Sequence, residues 1–288
     1  MEGTHTSSCP ILLHSGKRYW SETAFNWLER SQRRSGSINE EPTDPTIAAW
    51  SFVRNKTGIS FVDEAIKAIR CYSRVVEENR PPFLELIGKT GATTLVLTSL
   101  AARFVVSTRW SKFVSTLPQP HSQPQVVLLD SLYTFSMPLL VRTIRSALVL
   151  EMTHVQDTAV IDLEVEDCLK RIHLVFVTDV TVAVAGLEAL RIKLKSMDLI
   201  PNLLLWDEFL TTIPDTASKV EVTRQLTRLW YGTNTFVMVA SPRRNSTLEK
   251  HITCQIIFEP KDHETHIYVA KVCGIKFIVT IGTAGILS

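Results

Sequence analysis

Short and almost entirely apolar segments alternate with longer segments of helical periodicity through the middle of the chain. The apolar segments predict β-strands over 83–87, 126–130, 173–178, 203–207 and 236–240. The intervening segments predict helices over 94–106, 137–150, 180–194 and 217–230. Strands that lack a polar face are typical of a mainly parallel sheet with helices on both sides. We therefore predict an α/β fold.

The segments on either side of this alternation complete the predicted organisation. An amphipathic helix is predicted in TGISFVDEAIKAIRCYSRVVEE, which begins at Thr57. Three further strands over 252–258, 266–272 and 275–281 predict an antiparallel extension of the same sheet. Residues 1–46 are rich in Ser, Thr, Pro and charge, which predicts a flexible tail before one core domain over 47–288. Within the tail, 19–30 is either an incidental amphipathic helix or a docking segment for a partner.

The composition excludes several classes of protein. Hydrophobic residues make up 45% of the chain and charged residues 21%, as in a globular protein with a real core. A net charge of +2 is too small to indicate a nucleic-acid partner by itself. The five cysteines are scattered without a C-x-x-C pair, which favours reduced thiols in a cytosolic or nuclear protein over a disulfide framework or a zinc site. We predict no secretory signal and no transmembrane helix.

The stretch FLELIGKTGATT, over 83–94, resembles a strand that runs into a phosphate-binding loop. A working loop of this kind has the pattern G-x-x-x-x-G-K-[ST], because backbone amides and the lysine surround the phosphates while the hydroxyl binds Mg²⁺. When Gly88 is taken as the first glycine, Thr93 stands at the second glycine, Thr94 at the lysine and Leu95 at the hydroxyl. The stretch therefore predicts a degenerate phosphate-binding loop.

Two readings of this loop stay open at the level of sequence. Lys89 follows Gly88 directly and could reach a phosphate from there, while Gly88 and Gly91 give the backbone some freedom. The other reading is a loop that only packs the corner between strand and helix. The candidate nucleotide-binding residues of the loop are Gly88, Lys89, Gly91, Thr93 and Thr94.

The order of these segments resembles the core of the RecA-type recombinases over roughly residues 57–288. The loop is followed by VVLLDSLYTFSMPLLVRTI, then LLLWDEFL, then FVMVAS, in the order of that family's motifs. Within the family, the chain is similar to the small recombinase paralogues of the X-ray-repair cross-complementing class. The resemblance implies a RecA-like P-loop core, with a mainly parallel sheet, helices on both faces and C-terminal antiparallel strands.

The resemblance also implies roles for individual positions. Asp207 stands at the Walker B carboxylate that holds the Mg²⁺ shell, although a carboxylate that merely ends a strand is the alternative. Leu132 stands where the family has the glutamate that activates water, and a leucine cannot accept a proton. Glu208 replaces a small hydroxyl residue, and 240–243 offers no sensor amide in register. We therefore predict no catalytic residue.

The resemblance implies two DNA-binding loops, which are short in this chain. The first, at 211–218, carries no arginine or lysine. The second, at 242–251, carries Arg243, Arg244 and Lys250, which are either DNA contacts or part of a solvated turn. Histidines at 251, 263 and 266 lie near acidic residues, but exposed polar side chains are favoured over a metal site. We predict no metal site.

The resemblance implies a non-catalytic recombinase paralogue that acts in the nucleus in homologous-recombination DNA repair. Its expected partners are other recombinase paralogue subunits, with single-stranded or branched DNA contacted through the complex, and no membrane. It would support assembly of the recombinase filament on single-stranded DNA. One alternative is a weakly active P-loop ATPase that uses Lys89 and Asp207 with ATP and Mg²⁺; the other is a DNA-independent adaptor of the same fold.

Overall fold

The computed structural model describes residues 57–72, 81–109, 124–152, 157–195, 202–233, 235–261, 267–282 and 285–287. The predictions for 1–46 and for the histidines at 263 and 266 lie outside these residues. Within the ranges described, no helix has both the length and the apolar character needed to cross a membrane.

Helices and strands alternate along most of the chain. The helices are α1 (Ser60–Tyr72), α2 (Ala92–Arg109), α3 (Met137–Glu151), α4 (Thr158–Leu169), α5 (Val180–Lys195) and α6 (Thr216–Gly232). The strands are β1 (Phe83–Gly88), β2 (Val126–Asp130), β3 (Ile172–Phe176), β4 (Asn202–Asp207), β5 (Thr235–Ser241), β6 (Cys254–Pro260), β7 (Ile267–Val272), β8 (Ile275–Gly282) and β9 (Gly285–Leu287).

The nine strands of the described ranges belong to one sheet, in the order β3-β2-β4-β5-β1-β6-β7-β8-β9. The six strands from β3 to β6 are parallel to one another. The remaining pairs, β6 with β7, β7 with β8 and β8 with β9, are antiparallel. The predicted α/β class, with a mainly parallel sheet and C-terminal antiparallel strands, is confirmed.

Two hydrophobic clusters cover the two faces of the sheet. Successive side chains of a strand point to opposite faces, so an apolar strand buries both sets of residues only when both faces are covered. On β1, Leu84 and Leu86 join the cluster with α1, α2, α3 and α4, whereas Phe83 joins the cluster with α5 and α6. The second cluster contains Trp206 and Trp230, both nearly inaccessible to solvent.

The sequence predictions are confirmed in element order, with three differences. First, β6 was predicted in an antiparallel extension, but it pairs parallel with β1 and only its other edge is antiparallel. After β5 the chain passes back to the start of β1, where Thr253 donates its amide to the Phe83 carbonyl at 2.8 Å, so β6 runs alongside β1. Second, α4 was not predicted, although the Asp157 side chain accepts the Ala159 amide and starts it. Third, the short strand β9 was not predicted.

Candidate functional site

The carboxyl ends of β1, β2, β4 and β5 meet at one edge of the sheet. In open α/β sheets, ligands bind beside the carboxyl ends of the parallel strands. The loop after β1 lies at this edge, and Asp130 and Asp207 are paired neighbours at the ends of β2 and β4. This edge is the candidate site.

Asp207 is a buried carboxylate of the site, with 2% of its surface exposed. Its Oδ2 atom accepts hydrogen bonds from the hydroxyls of Thr94 at 2.6 Å and Thr134 at 2.7 Å. Its Oδ1 atom is buried and has no hydrogen-bond partner among the described residues. Burial raises the pKa of Asp207, and nearby Asp130 and Glu208 act in the same direction, while the two threonine hydroxyls oppose the shift.

Asp130 organises the turn after β2. Its Oδ1 atom accepts the amides of Leu132 at 3.1 Å and Thr134 at 3.2 Å, and its Oδ2 atom accepts the amide of Phe135 at 2.9 Å. These contacts position the Thr134 hydroxyl against Asp207. Leu132, at the position where the resemblance expects a glutamate, is 42% exposed in this turn. Asp130 therefore holds the turn rather than facing an open site.

Two threonine–carboxylate hydrogen bonds tie the loop after β1 to the end of β4. Thr90 donates to Glu208 Oε1 at 2.5 Å, and Thr94 donates to Asp207 Oδ2 at 2.6 Å. Within the loop, the carbonyl of Lys89 accepts the amide of Ala92 at 3.1 Å and that of Thr93 at 3.3 Å. Two amides of the loop are thus already bonded to the loop itself.

The two positions of the loop that are glycine require this residue for different structural reasons. A Cβ atom on Gly88 would stand 2.6 Å from the carbonyl oxygen of Phe258, so Gly88 permits the close approach of β6 to the end of β1. Gly91 has a φ of +86°, the left-handed conformation that favours glycine, and a Cβ atom there would meet no heavy atom within 4 Å. The predicted phosphate role of Gly88 therefore has a packing explanation.

Lys89 and Thr93 are the remaining candidate residues of the loop. Lys89 is exposed, and within the described ranges its ammonium has no carboxylate partner. Thr93 is buried, and its hydroxyl has no partner among the described residues. The Thr93 hydroxyl and the nearby Asp207 Oδ1 are thus buried without a partner among the described residues, and the Lys89 ammonium is exposed.

Residues at a Mg²⁺–nucleotide site must leave amides and a carboxylate oxygen open to the ligand. Here the bonds from Thr90 and Thr94 hold the loop against β4, and Thr94 stands where the resemblance expects a lysine. These contacts do not fit a bound Mg²⁺–nucleotide. Asp207 Oδ1 is the one carboxylate oxygen in the cluster that fits it. Within the described ranges, no group of three or more His, Cys, Asp or Glu residues could hold a metal ion.

The backbone of this edge is strained at three residues. Tyr133, Glu208 and Leu210 have φ values of 58°, 54° and 61°, which non-glycine residues rarely adopt. They account for three of the four positive-φ residues other than glycine in the described part of the chain. Such strain concentrates where surrounding structure fixes a functional geometry. It lies in the turns after β2 and β4, on both sides of Asp207.

Two of the predicted DNA-binding cations line different depressions of the surface. Arg244 forms an ion pair with Glu249 and lines a depression beside β6, whereas Lys250 lines a groove over α5 and α6. Arg243 is exposed. The segment that carries them is anchored by the buried carboxylate of Glu85, which accepts the amide of Asn245 at 2.9 Å.

Lys250 is joined by basic residues that sequence reasoning missed. The groove has a volume of about 1260 Å³ and is also lined by Arg191, Arg224 and Arg228. Arg191 and Arg224 are already paired with Glu188 and Glu221 on their own helices. The spacing of four residues between Arg224 and Arg228 is the sequence signal that could have placed them on one helix face.

Sequence reasoning also missed Thr90, Thr134 and Glu85. Threonine is too common in turns and helices to indicate a partner by itself. Glu85, in the middle of an apolar strand, was a usable signal, because a charged residue is almost never fully buried unless it is paired. Its carboxylate is bonded by the amide of Asn245 and by the side-chain amide of Gln255, the latter at 2.8 Å.

Comparison of the sequence with protein-family models and with curated proteins gave no match.

Proposed function

We propose that the chain is a non-catalytic, RecA-like recombinase paralogue that acts as a subunit of a homologous-recombination DNA repair complex in the nucleus. In this role it joins other recombinase paralogue subunits and supports assembly of the recombinase filament on single-stranded DNA.

The observation that supports the proposal is the pair of hydrogen bonds between the loop after β1 and the end of β4. The loop follows the first strand of a parallel sheet, and Asp207 ends β4 in the motif order that resembles the RecA core. Thr90 and Thr94 donate hydrogen bonds to Glu208 and Asp207. With Leu132 at the water-activating position, the architecture supports assembly rather than phosphoryl transfer.

Exposed apolar side chains support a subunit contact. At the end of α3, Val149 and Leu150 are 49% and 74% exposed, and on the adjacent α4, Val160 and Leu163 are 37% and 64% exposed. Apolar side chains grouped on a surface mark protein–protein contacts more often than isolated ones do. We assign the partner subunit to this α3–α4 surface, defined by Val149, Leu150, Val160 and Leu163.

The partner prediction is tested by affinity purification of the tagged chain from dividing cells, followed by identification of co-purifying proteins. The wild type is expected to retain a recombinase paralogue. The variant Leu163→Asp is expected to lose it, because a charge replaces an apolar contact. Ile278→Asp, at a residue that is 67% exposed on β8, is the matched control and keeps the partner. Purification of the tagged wild-type chain without any co-purifying recombinase paralogue would contradict the proposal.

Contact with DNA is assigned to the groove that contains Lys250 and Arg228. Neither cation has an ion-pair partner within 4.0 Å among the described residues, although Arg228 is close enough to Glu188 and Glu221 to contribute to the lowered pKa of both carboxylates. The purified complex should lose affinity for single-stranded DNA when Arg228→Glu is introduced, and the slope of affinity against salt should fall by roughly 1 for each phosphate contact removed. Lys67→Glu on α1 is the control. A complex without salt-dependent DNA binding would favour the DNA-independent adaptor.

A weakly active P-loop ATPase is the second candidate, because one specific observation favours it. Asp207 Oδ1 and the Thr93 hydroxyl are buried without partners in the described part of the chain, as groups that await a ligand would be. This alternative predicts hydrolysis of ATP that depends on Mg²⁺ and is abolished in Asp207→Ala. The proposal predicts no hydrolysis above that of Asp207→Ala.

A further inference from the structure

Two cysteines that the proposed function does not use lie side by side at the antiparallel end of the sheet. Cys254 is the first residue of β6, and Cys273 begins the turn between β7 and β8. Their sulfur atoms are 3.7 Å apart, although the residues are 19 positions apart in sequence. Cys254 is buried and Cys273 is exposed. One sulfur is thus accessible to reagents in solution, and the other is in contact with it.

The contact depends on an unusual backbone conformation. Ile256 pairs with Val272, so a regular continuation of both strands would put Cys254 and Cys273 on opposite faces of the sheet. Cys273 instead has a φ of 48°. The left-handed backbone takes Cys273 out of the strand geometry and permits the contact between the sulfurs.

Cys273 is an unusual residue type for the turn position that it occupies. Val272 pairs with Ile275, so Cys273 and Gly274 form a two-residue hairpin loop, and both have positive φ. Loops of this type favour Asn-Gly, because the first residue must also adopt the left-handed conformation. Gly274 fits the rule and Cys273 does not. A residue that breaks a local rule is a signal of a functional site.

We infer that Cys273 and Cys254 are a site of reversible oxidation, at which a small-molecule disulfide of the glutathione class converts them to an intramolecular disulfide. The Cys273 thiolate attacks one sulfur of the small disulfide, forms a mixed disulfide and releases one thiolate. The Cys254 thiolate then attacks the Cys273 sulfur and releases the second thiolate. The protein loses two electrons and two protons, and the small disulfide becomes two thiols.

The surroundings fit this order of events. A depression of about 440 Å³ is lined by both cysteines and by Arg244 and Lys271. These two cations pair with Glu249 and Glu259. Burial and the Cys273 sulfur raise the pKa of Cys254, so Cys273 is the first to react. Bond formation requires the sulfurs to move from 3.7 Å to about 2.05 Å. An exposed hairpin turn can make this movement.

The test treats the full, folded chain with glutathione disulfide, blocks remaining thiols by alkylation and maps the peptides by mass spectrometry. The wild type is expected to give a linked Cys254–Cys273 peptide that is two hydrogens lighter and is restored by dithiothreitol. Cys254→Ser should stop at the mixed disulfide on Cys273, and Cys273→Ser should give neither product. Cys168→Ser, at a buried residue of α4, is the matched control and should keep the wild-type product.

A second measurement on the wild type does not depend on how the variants fold. Alkylation of the reduced native chain should modify Cys273 at least about tenfold faster than Cys254, because only the exposed thiol is accessible. Equal rates would overturn the inference. A mixed disulfide that persists in the wild type, or a linkage that joins Cys273 to Cys9, Cys71 or Cys168 instead, would also overturn it.

Discussion

Replacing Thr94 by valine removes one hydroxyl from Asp207 and keeps the shape of the side chain. In the structure, the Thr94 and Thr134 hydroxyls are the two donors to Oδ2 of this buried carboxylate. A hydrogen bond to a charged group contributes about 1.5–3 kcal/mol, against about 0.5–1.5 kcal/mol for a neutral pair. Because the acceptor is a buried carboxylate, we expect Thr94→Val to lower the free energy of unfolding by about 1.5–3 kcal/mol.

Thr98→Val provides the matched control for this prediction. Thr98 lies one turn further along α2, is equally buried, and donates its hydroxyl to the Thr94 carbonyl at 2.7 Å, which is a neutral acceptor. The same substitution there should cost less by about 1 kcal/mol. For a domain of this size, that difference corresponds to a melting temperature roughly 2–4 °C lower for Thr94→Val than for Thr98→Val.

The assay is equilibrium unfolding in urea, with thermal unfolding as a second measurement. The difference between the two variants in free energy of unfolding isolates the contribution of the charged acceptor, the Asp207 carboxylate, to the hydrogen bond of Thr94. If Thr94→Val is no less stable than Thr98→Val, the hydrogen bond from Thr94 to Asp207 does not stabilise the loop, and this explanation of the loop is refuted.

Three further predictions concern the packing and titration of buried residues. Gly88→Ala should lower the free energy of unfolding by about 1–3 kcal/mol, because its Cβ atom would overlap the Phe258 carbonyl, whereas Gly232→Ala, where a Cβ atom meets nothing within 4 Å, should not; equal losses in urea unfolding would contradict the packing role. The folded-state pKa of Asp207 is raised, so the wild type should lose stability relative to Asp207→Asn as the pH rises above 3.8, the ordinary pKa of aspartate; parallel curves of unfolding free energy against pH would exclude the shift. Burial lowers the pKa of His173 from 6.5 to about 3, so stability should fall with acidification through this range by up to about 1.4 kcal/mol per pH unit. In His173→Leu, the free energy of unfolding should not show this fall with acidification. A slope equal to that of the wild type would contradict the prediction.

The order of elements was readable from the sequence because burial on both faces leaves strands without polar residues. The strand predicted over 126–130 has the observed bounds of β2, and the start of α3 follows from Ser136, whose side chain accepts the Leu139 amide at 3.4 Å. The direction of β6 was not readable, since pairing with β1 depends on where the chain returns after β5. An apolar pattern indicates a strand but not its neighbour.

The contacts of the site were beyond sequence reasoning for a different reason. Thr94 and Asp207 are 113 positions apart, and Thr90 and Glu208 are 118 apart. Nothing in the type of a threonine indicates which distant carboxylate it will meet. Likewise, Gly88 was assigned to phosphate binding, whereas its closest neighbour is the carbonyl of a strand 170 positions away. The sequence could locate the edge of the sheet, but not how its groups satisfy one another.

The binding of Mg²⁺–ATP to the purified chain, measured by titration calorimetry, tests the central claim most directly. The claim is that the loop after β1 is held to Asp207 and Glu208 by its own threonines, which supports the proposed non-catalytic role. The account predicts no saturable heat of binding, in the wild type and in Lys89→Ala alike. Saturable binding in the wild type that is lost in Lys89→Ala would contradict it.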